Sequence, residues 1–434
     1  MNKPRLGKGL AATLYRGASL FLLIHVFGMV FHSLLHVFLA RTLGPAGYGR
    51  YALAANWAAL FLPLAYLGWN TAALRFVSSY NSQGEWSLLR GFLGACGKVV
   101  SAASVAVGSC LVVAVIVFFD DLDPDLAIAL LIAGLVVPIS ALTLATSAIL
   151  RGLKHVGRSQ IPPALIQPLG FGAAFLALSV GGWFPLNAVT AMVGHLIGVV
   201  LALGVSLFLL VRVLPSAVVR NPAQSSRRQW WAVATTACIS SLFQATQLRA
   251  TTAILGFFAD AADVGVFSSA FRIGLVTSLG LFAMNAWAAP LIAELHAAGD
   301  RAGLQRLIVL AARGVTAITL PPLILVVFFG EPVLGLFGQE FTAGHHALII
   351  LVAGYALSAL TGPVGFLLTM TGRHSSAMAV EIAMAILLLG LSVALIPPFG
   401  IEGAAIANAA TAVIRNLVLA VIVWRTMRIR AAVM

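Results

Sequence analysis

Apolar stretches long enough to cross a bilayer follow one another from residue 18 to residue 425, with only short polar segments between them. A crossing helix needs about 20 apolar residues, because each adds about 1.5 Å across a hydrocarbon core about 30 Å thick. The chain meets this length twelve times, near 18–40, 51–74, 91–119, 126–150, 161–181 and 188–211, then near 230–258, 264–290, 307–329, 345–370, 377–397 and 403–425. With 61% apolar and 9% charged residues among 434, it cannot assemble a water-facing surface without exposing large apolar patches. A β-barrel would need alternating polar and apolar residues. Runs such as Leu126 to Val137 do not alternate, so the expected fold is an all-α polytopic membrane protein.

Charge gives these spans a direction. With the N-terminus placed in the cytoplasm, inward segments hold 21 of the 26 basic residues, including the cluster Arg151, Lys154 and Arg158. Outward loops hold nine of the thirteen acids, among them Asp120, Asp121, Asp123 and Asp125. Orientation follows the basic residues, so both termini are expected in the cytoplasm. The same distribution accounts for the net charge of +13 without a nucleic-acid partner. The first span is too long for the core of a secretion signal, and no small-residue cleavage site follows it, so it is expected to stay.

The halves repeat. Gly49, Tyr51 and Ala54 match Gly265, Phe267 and Ala270 at an offset of 216, and Asn187-Ala188 matches Gly403-Ala404 at the same offset. Between them, Leu131 to Gly134 and Gly152 match Leu351 to Gly354 and Gly372 at an offset of 220. The expected organisation is a six-helix bundle over 1–211, a cytoplasmic linker over 212–229, and a second six-helix bundle over 230–434. Six spans per repeat is even, so both repeats enter from the same side. The symmetry axis then runs along the membrane normal, with a substrate site expected between the halves.

The stretch ARTLGPAGYGRYALA (Ala40 to Ala54) resembles the first outer loop of bacterial polysaccharide transporters, the Wzx-type lipid-linked oligosaccharide flippases. The resemblance continues through ALRFVSSY (Ala73 to Tyr80), LGFFADAADVGVFSSAFRIG (Leu255 to Gly274), FGQEF (Phe337 to Phe341) and GIEGAAIANA (Gly400 to Ala409), in order along essentially the whole chain. It implies membership of the superfamily that also holds MATE-type drug exporters and the peptidoglycan precursor flippase. The implied fold is two six-helix bundles around a central cavity, working by alternating access. The implied substrate is a polyprenyl-diphosphate-linked oligosaccharide repeat unit, moved to the outer leaflet of the bacterial inner (plasma) membrane for surface or exopolysaccharide assembly. Membrane lipids, a polysaccharide polymerase and a co-polymerase are the expected partners.

Such a substrate needs a wet, cationic path. Charged side chains within spans cost at least ~2.5–3.5 kcal/mol each and therefore face a cavity or a partner. Four are read as lying within the membrane, Arg249, Arg272, Arg415 and Glu381, with Lys98 and Arg313 counted to the inward segments. Arg249 and Arg272 fall at similar depth on adjacent antiparallel spans, where planar guanidinium forks suit a diphosphate. The competing reading is that they pair with Asp260 and Asp263 or snorkel outward. The repeat sets Asn56 at the position of Arg272 and Ser33 at that of Arg249. Arg415 lies near mid-bilayer and can contact substrate or Glu381, which lies nearer the inner end of the preceding span; the depth difference favours separate roles. His25, His32 and His36 share a helix face and can bind sugar hydroxyls or protons, or simply bond neighbouring helices. Span 7 carries a polar row, Ser240, Gln244, Gln247 and Thr251, suited to lining a cavity, although Arg249 lies off it. The substrate-binding candidates are thus Arg272, Arg249, Arg415, Asn56, His25, His32, Gln244 and Gln247.

No cofactor or metal is expected. Cys96, Cys110 and Cys238 lack ligand spacing, the acids at 120–125 suit a helix N-terminus, and His345-His346 near Glu340 is a weak metal motif. Pro63, Pro138, Pro168 and Pro363 interrupt spans without marking a particular hinge. A MATE-type drug exporter is the alternative within transport, but three arginines against one glutamate favour an anionic substrate. A membrane polymerase or ligase would need catalytic residues on a large outer loop, and the outer loops are short. A scaffold for a synthesis complex is the remaining alternative.

Overall fold

Backbone hydrogen bonds with no water to replace them force each apolar stretch into a helix. In the computed structural model, which describes residues 8–118, 123–180, 185–277, 284, 288, 291–292 and 294–429, the described residues contain helices and no strand. The first half holds α1 (Lys8–Tyr66), α2 (Trp69–Gln83), α3 (Trp86–Phe118), α4 (Pro124–Gly152), α5 (Val156–Ile161), α6 (Gln167–Val180), α7 (Ala188–Val213) and α8 (Ser216–Arg220). The second holds α9 (Arg227–Phe258), α10 (Ala261–Thr277), α11 (Arg301–Gly335), α12 (His345–Ala359), α13 (Val364–Met370) and α14 (His374–Met427).

Eight described helical stretches are long and apolar enough to cross a membrane. Two of them are pairs of spans: α1 breaks at Gly44, with φ 67°, and α14 at Gly400, with φ 55°. Both glycines adopt a backbone conformation that a Cβ disfavours, which lets each chain reverse without a loop. At the second break Pro397 and Pro398 also remove backbone donors. These stretches supply ten spans, and α9 and α10 complete the twelve. α9 is less apolar than the others because its face carries the polar row of span 7.

Local chemistry sets the other boundaries. Asp123 caps α4, accepting from the backbone N–H of Asp125 and Leu126, so this acid serves the helix end. Asn187 caps α7 through the Thr190 N–H and also donates to Asp125 at 3.0 Å. Asp120 and Asp121 lie outside the described residues. The second span, expected to run to residue 74, ends sooner: α1 stops at Tyr66, and Gly68, with φ 73°, redirects the chain into α2. Pro162 and Pro163 open a single π turn between α5 and α6. The tenth span is broken between α12 and α13 at Gly362 and Pro363.

The chain packs as two compact units, Met1–Thr42 with Ala54–Leu242, and Leu43–Leu53 with Phe243–Met434. These are not the two sequence repeats. The outer turn of the first half packs with the second unit, and the first half of α9 packs with the first unit. Within the first unit α4 packs on α3 and α7. Gly108 and Gly134 let α3 and α4 meet closely: a Cβ on Gly108 would lie 2.3 Å from the Gly134 carbonyl oxygen. Trp69, Phe92 and Trp230 interlock, and the Trp230 indole N–H donates to the Tyr80 hydroxyl at 2.9 Å. In the second unit a core of Leu304, Ile308, Leu367, Leu368, Leu419 and Val423 joins α11, α13 and α14.

Candidate functional site

Most hydroxyls in the spans are accounted for locally. Ser33, Thr143, Thr146, Ser240, Ser269 and Thr319 each donate to the carbonyl four residues earlier, so they offer a ligand little. What remains for a site is the charged, amide and imidazole groups.

In the first unit, His36 is buried and His32 exposed, with their rings edge to face at 4.6 Å. The His25 side chain lies outside the described residues. Asn56 is buried in α1 beyond the Gly44 break. A further imidazole, His195 on α7, stacks on Phe171 at 5.3 Å and lies 3.4 Å from the Gln167 amide. Sequence reasoning passed over it because a lone histidine in an apolar span has no periodic partner.

In the second unit, Arg272 of α10 is part-buried, and its Nε is buried without a hydrogen-bond partner. Its charge acts on the Tyr51 hydroxyl and on the Arg249 guanidinium of α9. The two arginines are therefore brought within electrostatic reach of each other, with Arg249 exposed. Tyr51 is itself fully buried and sits beside Tyr48, which meets Phe341 edge to face at 6.0 Å. Tyr51 was visible in the sequence as part of the repeat motif, but nothing there linked its phenol to an arginine.

Arg415 corrects an expectation. It does not stand apart from Glu381: its Nη1 donates to Gln247 Oε1 at 3.1 Å and lies 3.9 Å from Glu381 Oε2, while the Gln247 amide N–H donates to Glu381. The reason is geometric. Glu381 stands 19 residues before the Gly400 break and Arg415 15 residues after it, a depth difference of only ~6 Å at ~1.5 Å per residue. Two long side chains and a bridging amide close that gap. Tyr355 of α12 lies in the field of Arg415.

The polar row of α9 is consequently divided. Ser240 bonds its own helix, and Gln244 is exposed. Gln247 and Thr251 turn toward α14, Thr251 meeting Ser392 at 3.4 Å. In the histidine pair at 345–346, His345 faces Glu331 at 3.5 Å and His346 faces Glu402 at 3.3 Å. The two side chains reach different acids because adjacent helical residues point about 100° apart. Among the described residues no group of three or more histidines, cysteines or acids is placed to hold a metal, and the three cysteines are free.

A family profile described as polysaccharide biosynthesis protein matches residues 14–296. Among curated proteins, a probable low-salt glycan biosynthesis flippase of Haloferax volcanii is 24% identical over 263 residues, covering 60% of this chain and 54% of that one. The match thus spans about half the length of that relative. Among solved structures, the lipid II flippase MurJ in an inward closed conformation superposes with a TM-score of 0.71 at 14% identity, over 93% of this chain and 87% of that one. An inward-facing multidrug resistance MATE family transporter of the MOP superfamily gives 0.68 at 16% identity, over 95% and 94%. At such identities the likeness is one of fold: an all-α, twelve-helix, MATE-like membrane protein.

Proposed function

Because this chain belongs to the polysaccharide biosynthesis protein family, we propose that it moves a polyprenyl-diphosphate-linked oligosaccharide from the inner to the outer leaflet of a bacterial plasma membrane by alternating access. Both termini then lie in the cytoplasm, with residues 1–211 and 230–434 as the two repeats and 212–229 as their linker. The relative in Haloferax volcanii, described as a probable glycan biosynthesis flippase, supports this reading.

The observation that carries it is the arginine pair of the second unit. Arg249 and Arg272 lie within electrostatic reach of each other in neighbouring spans. An anion held by both would engage two guanidinium forks. A diphosphate supplies that charge and several acceptor oxygens. A cationic drug would be repelled by both, which disfavours the drug-exporter reading. Gln244 in the second unit and, separately, Asn56 and His32 in the first offer neutral donors and acceptors suited to sugar hydroxyls. Arg415 and Gln247 form a second cationic group.

Deletion of the gene followed by analysis of lipid-linked intermediates tests the proposal. The expected result is accumulation of completed repeat units on the inner leaflet, relieved by the wild-type chain and not by Arg272→Ala. Normal surface polysaccharide in the deletion strain, with no second flippase present, refutes it. Loss of polymer length with normal outer-leaflet repeat units would indicate a polymerase or scaffold instead.

A further inference from the structure

We propose that Arg415, Gln247 and Glu381 form an anion-exchange site in the second unit, in which Glu381 is a resident counter-ion that a phosphate or diphosphate displaces from Arg415. The inference deepens the proposed function and rests on that reading only for the identity of the anion.

The geometry is that of a pair held loosely. Arg415 and Glu381 approach to 3.9 Å, beyond hydrogen-bond distance, and the hydrogen bonds between them pass through Gln247. Moving Arg415 away therefore breaks one bond to a neutral amide. Glu381 keeps its own bond from the Gln247 N–H throughout. The carboxylate thus keeps a donor when its cation leaves, which lowers the penalty for splitting a part-buried pair. Gln247 acts as the positioning residue: its carbonyl holds the cation and its amide the anion.

Arg415 also has donors to spare. A guanidinium carries five N–H groups in a rigid fork, and the Nε of this one is buried with no hydrogen-bond partner. Its side chain is 28% exposed and that of Glu381 33%, so a ligand can reach both. The surroundings carry a further polar group without a partner. Thr411 lies one turn before Arg415 on the same face of α14, and its Oγ1 is buried and unbonded. A planar fork that meets its own carboxylate poorly is suited to a tetrahedral phosphate, which can take two N–H groups at once.

Protein in discs of uncharged lipid, titrated with inorganic pyrophosphate by calorimetry, tests the exchange. Glu381→Gln removes the competitor and is expected to tighten binding about five- to tenfold, the scale of one part-buried ion pair. Arg415→Gln is expected to weaken binding at least about tenfold in either background. Glu381→Gln with wild-type thermal stability and equal or weaker binding overturns the proposal. Infrared difference spectra of the wild-type protein give an independent reading. Pyrophosphate should shift a carboxylate stretching band, and Arg415→Gln should abolish the shift; no shift in the wild type overturns the proposal equally. Polyprenyl diphosphate placed in the discs distinguishes the source of the anion, displacing pyrophosphate if a lipid carrier headgroup is the ligand and leaving it bound if a free phosphate compound is. Tightening by Glu381→Gln in a protein whose deletion leaves export normal would keep this site and remove the proposed function. An export defect without tightening would do the reverse.

Discussion

The starts of spans 2 and 8 meet through the glycines that the two repeats share, and this junction is open to a direct test. A Cβ on Gly49 would lie 1.6 Å from the Ala261 carbonyl oxygen, and one on Gly265 would lie 2.2 Å from the Pro45 carbonyl oxygen. Adding the repeat offset of 216 to 45 and 49 gives 261 and 265, so the contact is reciprocal: each glycine receives the residue four places before its counterpart. Gly49→Ala or Gly265→Ala drives a methyl group into backbone, which cannot swing aside as a side chain can. Overpacking of this kind costs about 1–3 kcal/mol, and the Gly49 contact belongs at the upper end. Alanine's better helix propensity returns about 1 kcal/mol, leaving a net loss of about 2 kcal/mol. For a cooperative unit of roughly 200 residues that lowers the melting temperature by about 4–8 °C. The assay is thermal unfolding in detergent, followed by tryptophan fluorescence. Gly94→Ala and Gly97→Ala are the controls, since both glycines are exposed on α3 with nothing within 4 Å of an added Cβ. They should melt at or above the wild-type temperature. The double variant Gly49→Ala with Gly265→Ala should lose less than the sum, because both substitutions open one junction. Melting of both single variants within ~1 °C of the wild type would refute the close approach and the local two-fold relation built on it.

Other expectations concern the first unit and the arginine pair. Trp230→Phe and Tyr80→Phe each remove one end of the buried indole–hydroxyl bond and should cost about 1–3 kcal/mol, with a coupling of about 1 kcal/mol in a double-mutant cycle. Arg90 donates to the Val219 and Asn221 carbonyls at 2.7 Å each; Arg90→Ala should therefore release the segment over 214–226, read as faster cleavage there in limited proteolysis, with unchanged cleavage counting against the contact. His155, in the inner turn between α4 and α5, is held below its ordinary value of 6.5 by burial and then by the neighbouring Arg158 charge. The folded protein then binds fewer protons at this site than the unfolded chain does, so its contribution to stability falls as pH drops below about 6.5, and a nuclear magnetic resonance titration of His155 should move upward in Arg158→Gln. In the export assay, Arg272→Lys should retain part of the function that Arg272→Ala loses, because charge survives and the paired hydrogen bonds do not.

Span count, helix class and the acidic start of α4 were legible in the sequence because each depends on nearest neighbours and on the solvent. Twenty apolar residues without charge have one stable form in lipid. An aspartate before Pro124 caps whatever helix follows it. The Gly-x-aromatic-x-x-Ala repeat likewise stood out at residues 49–54 and 265–270. What it was for did not, since the reciprocal approach of Gly49 and Gly265 joins residues more than two hundred apart. Depth counting set Glu381 and Arg415 apart and so missed their shared partner. One-dimensional rise ignores the reach of long side chains and cannot know that α9 slots a glutamine between them. The polar row on α9 was visible as a row, but its division between an exposed Gln244 and a Gln247 turned to α14 depends on which helix packs beside it.

The sequence by itself determined that this chain lives in lipid, how many times it crosses, and which charges its spans must accommodate, because transfer free energies act residue by residue. Tertiary structure alone decided how those charges are spent. It set Arg249 within the field of Arg272, and it bridged Arg415 to a carboxylate through an amide. The energy of a charge within a membrane protein is fixed by the few ångströms around it, and those are set by helix packing.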